Sequence, residues 1–432
     1  MPHMTISLVL GAAVFFILGV PIAVALGLSS ALVILFFKPV PNMTMIPQLF
    51  AEAATSFTML AVPLFILVGN LMERGTIGRK LIDFCTAFVG WLTGGLGAVN
   101  VVGSMIFGGI SGSSLADTAT FGTILIPRMR EEGYSEEYAG AITLTSSCLS
   151  VIIPPSILIV LAAAATQQSV SRALAAGLAP GLLVTFLLLI PNHIICKKRG
   201  YGKKHSFSLK NIADKTQSCW TALIAPLIIL GSIFSGIVTP TEGAGVAVCY
   251  ILIVDALIFR KLSFKDIWIC LIKTSALTSA ILLIATSSAI MNFVIAMENI
   301  PQILVSLLMA VPGGKFGFLI LTCVILLLIG MTIDASPACL IFTPLFMPAA
   351  LKMGMDPSHF IILMVTGFAV GLTTPPYGVC IFSIASISGI PMGRLIKASA
   401  PFYSMLIVAL ALVAFVPAIS LAGPGIIDFL TR

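Results

Sequence analysis

The chain has 432 residues, of which 59% are hydrophobic and only 9% charged, far below the roughly 25% charged residues of a soluble domain. That balance excludes an ordinary water-soluble protein and leaves an all-α polytopic membrane protein, with apolar runs of bilayer-spanning length recurring along nearly the whole chain. The net charge of +7 does not point to nucleic acid, because the basic residues gather in short loops between apolar segments.

Three basic groups stand out: Arg74, Arg79 and Lys80; Lys197, Lys198, Arg199, Lys203, Lys204, Lys210 and Lys215; and Arg260, Lys261, Lys265 and Lys273. The positive-inside rule puts all three on the cytoplasmic side. The nine cysteines form no CxxC pair, and His3, His193, His205 and His359 form no HExxH cluster, so neither a disulfide framework nor a zinc site is expected.

In chain order, residues 5 to 37 are too long for one span and break at Gly19-Val20-Pro21, which predicts two short crossings. The segment has no basic leader and reads as a retained helix, not a signal peptide. A third helix is expected over 52–73, ending at Arg74, followed by an amphipathic connector. Residues 94 to 127 are rich in Gly and Ser, and Ile106 to Gly122 reads IFGGISGSSLADTATFG, too polar for a lipid-facing helix. Such backbone is tolerated at membrane depth only where it is buried in protein or lines a cavity. For the loops on either side to be cytoplasmic, this stretch must enter and leave by one face as a re-entrant hairpin. A helix interrupted at Pro154-Pro155 and another over 173–195 lead into the basic linker. The second half repeats the plan: a segment 219–260 broken at Thr239-Pro240-Thr241-Glu242-Gly243, a helix over 270–297, a hairpin over 315–350, and a helix interrupted at Pro375-Pro376.

Sliding residues 109–180 onto 330–401, a shift of 221, needs no gap and gives eleven identities in 72 positions. Six are Gly or Pro: Gly109/Gly330, Pro127/Pro348, Gly133/Gly354, Pro154/Pro375, Pro155/Pro376 and Pro180/Pro401. These residues set backbone geometry, so a shape has been kept. Five crossings per half would make the two repeats inverted. Paired Gly/Pro-interrupted segments at matching places point to a secondary transporter whose site lies where the halves meet.

The predicted division is repeat one over 1–200 (scaffold helices 5–92, hairpin 94–127, broken helix 136–166, helix 173–195) and a basic cytoplasmic linker over 201–218. Repeat two covers 219–432 (scaffold helices 219–297, hairpin 315–350, broken helix 358–388, helix 400–422). A proline pair removes two amide donors and forces the preceding residue out of the helical region. The upstream half-helix then ends in free carbonyls that suit a small cation, and the downstream half begins with free amides that suit an anion. Asp117 and Asp334 add carboxylates to the hairpins, and an ionisable group inside a membrane domain is a functional candidate. No Lys or Arg occupies the central parts of the hairpins or broken helices, and no Walker sequence is present, so transport would be driven by an ion gradient.

The Gly109-Ile110-Ser111-Gly112-Ser113-Ser114-Leu115-Ala116-Asp117 hairpin, the Ile-Pro-Pro break before Ser156, Thr239-Pro240-Thr241-Glu242 and Thr374-Pro375-Pro376-Tyr377-Gly378 resemble the large membrane (M) subunit of tripartite ATP-independent periplasmic (TRAP) transporters, over essentially the whole chain. That resemblance implies an elevator-type fold in the bacterial inner membrane and sodium-driven import of an organic acid such as a C4-dicarboxylate or sialic acid. It also implies two partners, a small four-helix membrane (Q) subunit and a periplasmic substrate-binding protein (P subunit). Carried over residue by residue, it places one sodium ion between Gly109, Ser111 and Ser114 of the first hairpin and Ser147, Ser150 and Pro154 of the first broken helix. A second would sit between Gly330, Asp334, Thr366 and Thr373, with substrate between them touching Ser113, Ser156, Thr374 and Tyr377. Two other readings remain open: a stand-alone sodium/dicarboxylate carrier, and an intramembrane hydrolase with the serine of Gly109-Ile110-Ser111-Gly112 as nucleophile. The hydrolase lacks an obvious base.

Overall fold

A computed structural model describes residues 3–37, 44–74, 77–202, 207–260, 262–309 and 313–430; Lys203, Lys204, His205 and Lys261 lie outside them. The first apolar segment is two helices, α1 (His3–Ile17) and α2 (Ile22–Phe37), packed on each other and parted at Gly19. Its φ of +76° is a left-handed conformation that favours glycine. The third helix departs from the span 52–73 that hydropathy predicts: α3 (Met45–Thr55) and a 3₁₀ turn (Phe57–Leu60) precede α4 (Ala61–Arg74), and the chain bends at Ser56, whose ψ of 124° is extended. The connector is α5 (Ile77–Val89).

The first hairpin is α6 (Gly95–Ser111) and α7 (Ser114–Glu131), turning at Gly112-Ser113. At about 1.5 Å per residue, α6 is roughly 25 Å long, short of the hydrocarbon core. The first broken helix is α8 (Glu136–Ser146), α9 (Leu149–Ile152) and α10 (Ile157–Ala165), with a cis peptide at Pro154-Pro155. Then α11 (Val170–Arg199) leads to the linker.

Repeat two begins with α12 (Leu209–Phe234), which takes up much of the stretch that the sequence assigns to a linker, and α13 (Pro240–Ile251). Thr239 and Glu242 form a reciprocal cap on α13, the local reason for the break there. A π-helical turn (Leu252–Ile258) follows, then α14 (Phe264–Met297) and α15 (Ile300–Met309). The second hairpin is α16 (Gly314–Gly330) and α17 (Ala335–Lys352), and the second broken helix is α18 (Pro357–Thr373) and α19 (Val379–Ser388), with a cis peptide at Pro375-Pro376. The last segment is α20 (Met392–Phe415) and a further helix, α21 (Pro417–Leu430), where the sequence suggests a single helix over 400–422.

The shift of 221 found in the sequence carries α7 onto α17 and α8–α9 onto α18, end to end. Among the described residues, five helices are long and apolar enough to cross a membrane, seven if each of two bent pairs is one span. Exposed apolar residues such as Ile17, Phe36, Leu227 and Phe264 leave an outer surface suited to lipid. The protein is a multi-pass membrane protein.

Inside, the four hairpin and broken-helix elements form one core around Phe107, Phe121, Phe318, Phe360 and Phe368. The packing is reciprocal. Each hairpin's first helix lies on its own repeat's break, α6 on α9 and α16 on α18, while each return helix crosses to the other repeat, α7 on α19 and α17 on α10. The Thr118 and Ser383 hydroxyls meet at 3.0 Å on the α7–α19 side, and the Cys339 thiol faces the Leu158 carbonyl at 3.7 Å on the other. Helices α2, α3 and α4 pack on α14, and α13 packs on α4 and α12.

Candidate functional site

The two hairpin tips are built alike. Ser113, with extended backbone, caps α7 and accepts the Ala116 N–H at 3.4 Å. Asp334, its partner under the 221-residue shift, caps α17 and accepts the Ser336 N–H at 3.2 Å. These caps satisfy amides that a helix start leaves free. The shared shape thus carries a neutral group in one repeat and an acid in the other.

The first cation set predicted from the sequence is largely gathered. A Cβ on Gly109 would lie 3.1 Å from the Pro154 carbonyl oxygen, so the end of α6 rests on the first break. Gly108 is tighter still, with a Cβ there 2.5 Å from Ser150 Cα. The Ser114 hydroxyl donates to the Ser147 carbonyl at 2.8 Å, and the Ser147 hydroxyl to Leu144 at 2.8 Å. The Ser150 hydroxyl is fully buried beside the Asp117 carboxyl. Gly112, at φ +60°, would meet the Pro155 carbonyl at 3.4 Å if it carried a Cβ, which closes the tip against the break.

In the second set, Gly330 packs so closely on α18 that a Cβ on Gly371 would lie 2.6 Å from Gly330 Cα. The Thr373 hydroxyl donates to Val370 at 2.9 Å, and its carbonyl accepts from the Tyr403 hydroxyl at 2.6 Å. Thr366 is buried with an unpartnered hydroxyl. Asp334 stands apart from Thr366 in environment, half-buried on a cavity wall.

That cavity, of about 300 Å³, lies between the hairpin tips. Residues 111–116 of the first hairpin, residues 334–336 of the second, and Leu372 and Cys380 beside the second break form one side. Gly69, Asn70 and Glu73 of α4 and Leu277, Ala280 and Ile281 of α14 form the other. Of the predicted substrate contacts, Ser113 lines it. Ser156 is spent on local structure, capping α10 and donating to the Val151 carbonyl at 2.6 Å, and Thr374 donates to Val370 at 2.6 Å. Neither they nor Tyr377 line the cavity, and Tyr377 is 63% exposed.

Sequence reasoning missed the α4–α14 wall. A Cβ on Gly69 would meet the Ser111 backbone at 3.2 Å, so α4 needs glycine there to approach the tip. Asn70 donates to the Thr274 hydroxyl at 2.9 Å and ties the two wall helices together. The available signal was Asn70 and Glu73, polar residues three apart on one face of an apolar helix.

Asp117, one turn inside α7, is fully buried. The Ser104 hydroxyl donates to its Oδ2 at 2.8 Å, and Ser104, Ser146, Asn100 and Thr143 continue a chain of buried hydrogen bonds at 3.1, 3.1 and 2.6 Å.

Residues 9–419 match the family described as the tripartite ATP-independent periplasmic transporter, DctM component. The chain belongs to this family. It is 36% identical over 402 residues to the C4-dicarboxylate TRAP transporter large permease protein DctM of Pseudomonas aeruginosa, covering 93% of this chain and 94% of that one. It is 32% identical over 369 residues to the sialic acid TRAP transporter large permease protein SiaM of Vibrio cholerae, covering 85% and 86%. In fold it is similar to the crystal structure of the Alcanivorax borkumensis YdaH transporter, described as having an unusual topology, with a TM-score of 0.62, 16% identity and 89% of each chain covered. As a DctM-family member this protein is a TRAP large permease, and the cavity between its hairpin tips is the candidate site of that permease.

Proposed function

We propose that this permease imports an organic acid, of the C4-dicarboxylate, sialic acid or related carboxylate class, in exchange for the energy of an inward sodium gradient. The observation that carries the reading is the cavity between the two hairpin tips, where both repeats and the α4–α14 wall converge. Ser113, which caps α7 and lines the cavity, supplies a hydroxyl for a carboxylate with the positive end of that helix behind it. The carbonyls at the breaks, with Ser147, Ser150, Thr366 and Thr373, supply the oxygen donors that a small hard cation takes.

An elevator movement fits the packing. A second cavity of about 520 Å³, lined by Glu52, Ser56, Gln167, Ser288 and Asn292, lies beside the same helix α14, which contributes residues 277–284 to the first cavity and 285–292 to the second. With the Arg74 loop cytoplasmic, the first cavity is nearer that face and the second nearer the outside. The hairpin and broken-helix core would carry substrate past this wall in the inner membrane. A small Q subunit would complete the membrane part, and a periplasmic binding protein would deliver the substrate.

The hydrolase alternative finds no support at Ser111. No histidine is among the residues lining its cavity, and His193 is exposed on α11. The decisive experiment is uptake of labelled succinate and sialate into proteoliposomes holding this chain and its membrane partner. Uptake that needs both the sodium gradient and the binding protein is the expected result. Uptake by this chain alone would establish the stand-alone carrier instead.

A further inference from the structure

Away from the substrate cavity, the end of α11 and the start of α20 line a groove of about 850 Å³, with the start of α8 as its third side. Lys198 and Arg199 reach it from α11, and Arg394 and Lys397 from α20, all four exposed. The one carboxylate among the residues lining it is Glu137 of α8, 3.8 Å from Arg394. Four cations against one acid leave three positive charges in excess. Arg199 is held in place, donating to the Tyr201 hydroxyl at 3.1 Å with its guanidinium over that ring. Lys198 and Lys397 have no carboxylate within 4.0 Å among the described residues. Like charges gathered in this way repel, and a bound anion relieves the repulsion.

An apolar strip leads away from these charges along both helices. One turn before Lys198 stands the exposed Ile194, and the same stripe of α11 runs through Ile190 to the exposed Phe186. One turn after Lys397 stands the exposed Pro401, with the exposed Val408 further along that face of α20. Residues spaced by four, seven or eight share a helix face. Helices α11 and α20 pack on each other, the end of one beside the start of the other, so each presents a cation first and apolar side chains deeper in the bilayer. A phospholipid has the same order, a charged headgroup and then acyl chains.

The charges also break the symmetry of the repeats. The shift of 221 pairs Arg394 and Lys397 with Ala173 and Ala176, and Lys198 and Arg199 with Ile419 and Ser420. The equivalent place, where the start of α11 packs on α21, therefore carries none of the four cations. They belong to one face of an otherwise duplicated plan, the face that the basic linker puts in the cytoplasm. The negative surface potential of the cytoplasmic leaflet attracts such clusters, and basic pockets between membrane helices on that side take anionic headgroups.

We propose that the groove between α8, α11 and α20 binds an anionic phospholipid of the cytoplasmic leaflet, its phosphate held by Lys198, Arg199, Arg394 and Lys397 and an acyl chain laid along Ile194 and Pro401. This goes beyond the transport reading and depends neither on the coupling ion nor on the substrate. The guanidinium groups supply paired donors to phosphate oxygens and the lysines supply point charges.

The test is thermal unfolding of the full chain in a mild detergent, titrated in turn with phosphatidylglycerol, phosphatidylcholine of the same acyl chains, and inorganic phosphate. Phosphatidylglycerol should stabilise wild type with a midpoint at least about tenfold below that of phosphatidylcholine, since each basic residue near the headgroup is worth about fivefold. Arg394→Gln combined with Lys397→Gln, both at exposed positions that leave the core intact, should raise the phosphatidylglycerol midpoint by about tenfold or more. Lys210→Gln combined with Lys265→Gln removes two exposed lysines of the same face outside the groove and should leave the midpoint unchanged. Equal midpoints for the two lipids in wild type, or equal losses in the two double variants, would overturn the proposal. Stabilisation by inorganic phosphate without a preference for phosphatidylglycerol would make the groove a site for a soluble anion and overturn the lipid assignment.

Discussion

Ser150 and Gly371 occupy the same place in the two repeats, 221 residues apart, and they show how one backbone plan carries two chemistries. In repeat one, Gly108 gives way so that a serine side chain fits against α6. In repeat two, α16 comes so close at Gly330 that only glycine fits at 371. The carboxylates diverge in the same way, Asp117 sealed inside repeat one and Asp334 on the cavity wall of repeat two. The repeats share a skeleton of glycines and prolines, and their acids have parted, one into the interior and one onto the cavity wall.

The largest effect should come from removing a close approach. Gly371→Val would drive a branched side chain into the α16 backbone, where even a Cβ lies 2.6 Å from Gly330 Cα. Overpacking of this kind costs about 1–3 kcal/mol or more, and size-exclusion chromatography of the purified protein should show little folded material. Gly231→Val, at a position with nothing within 4 Å, should express normally; equal loss from both would remove the claim of tight α16–α18 packing.

Next is the accessible acid. Asp334→Ala should raise the sodium concentration for half-maximal uptake by about tenfold, read from initial rates in proteoliposomes. Unchanged sodium dependence would move the second site away from the α17 cap. A smaller effect is expected from Ser114→Ala, which deletes one hydrogen bond to the Ser147 carbonyl. About 0.5–1.5 kcal/mol is at stake, so a loss of roughly two- to tenfold in sodium affinity should follow, with substrate affinity little altered.

The smallest change should come from Tyr377, which the sequence nominates as a substrate contact but which stands 63% exposed and off the cavity. Tyr377→Phe should alter uptake less than about twofold, the size of a change at an exposed position. A tenfold fall in substrate affinity would restore Tyr377 to the site.

Much of the fold was legible because glycine and proline act locally. The breaks at Gly19, Pro154-Pro155, Thr239-Pro240 and Pro375-Pro376 and the two hairpins need no tertiary knowledge, and the constant shift marks the repeat. The bend at Ser56 was not legible, since it falls inside the apolar span 52–73, where no glycine or proline stands at the bend. The site was half legible. Its tips are local features, but the wall from Asn70 and Glu73 depends on α4 meeting a hairpin tip at Ser111, and the buried setting of Asp117 depends on Ser104 on another helix. Side chains such as Ser156 and Thr374 read two ways from sequence for the opposite reason. A hydroxyl beside a helix break is as useful for capping or for bonding the preceding carbonyl as for touching a ligand, and here both are spent that way.

The central claim is that the organic acid occupies the cavity between the hairpin tips and the α4–α14 wall, with sodium bound beside it at the helix breaks. The most direct measurement is the rate of maleimide labelling of a cysteine introduced as Ala280→Cys on that wall, after the exposed Cys249, the half-exposed Cys323 and the cavity-lining Cys380 have been replaced, with and without sodium and a transported substrate. Protection by at least about fivefold that needs both ligands together is the predicted result; labelling that proceeds at the same rate while the variant still transports would contradict the account.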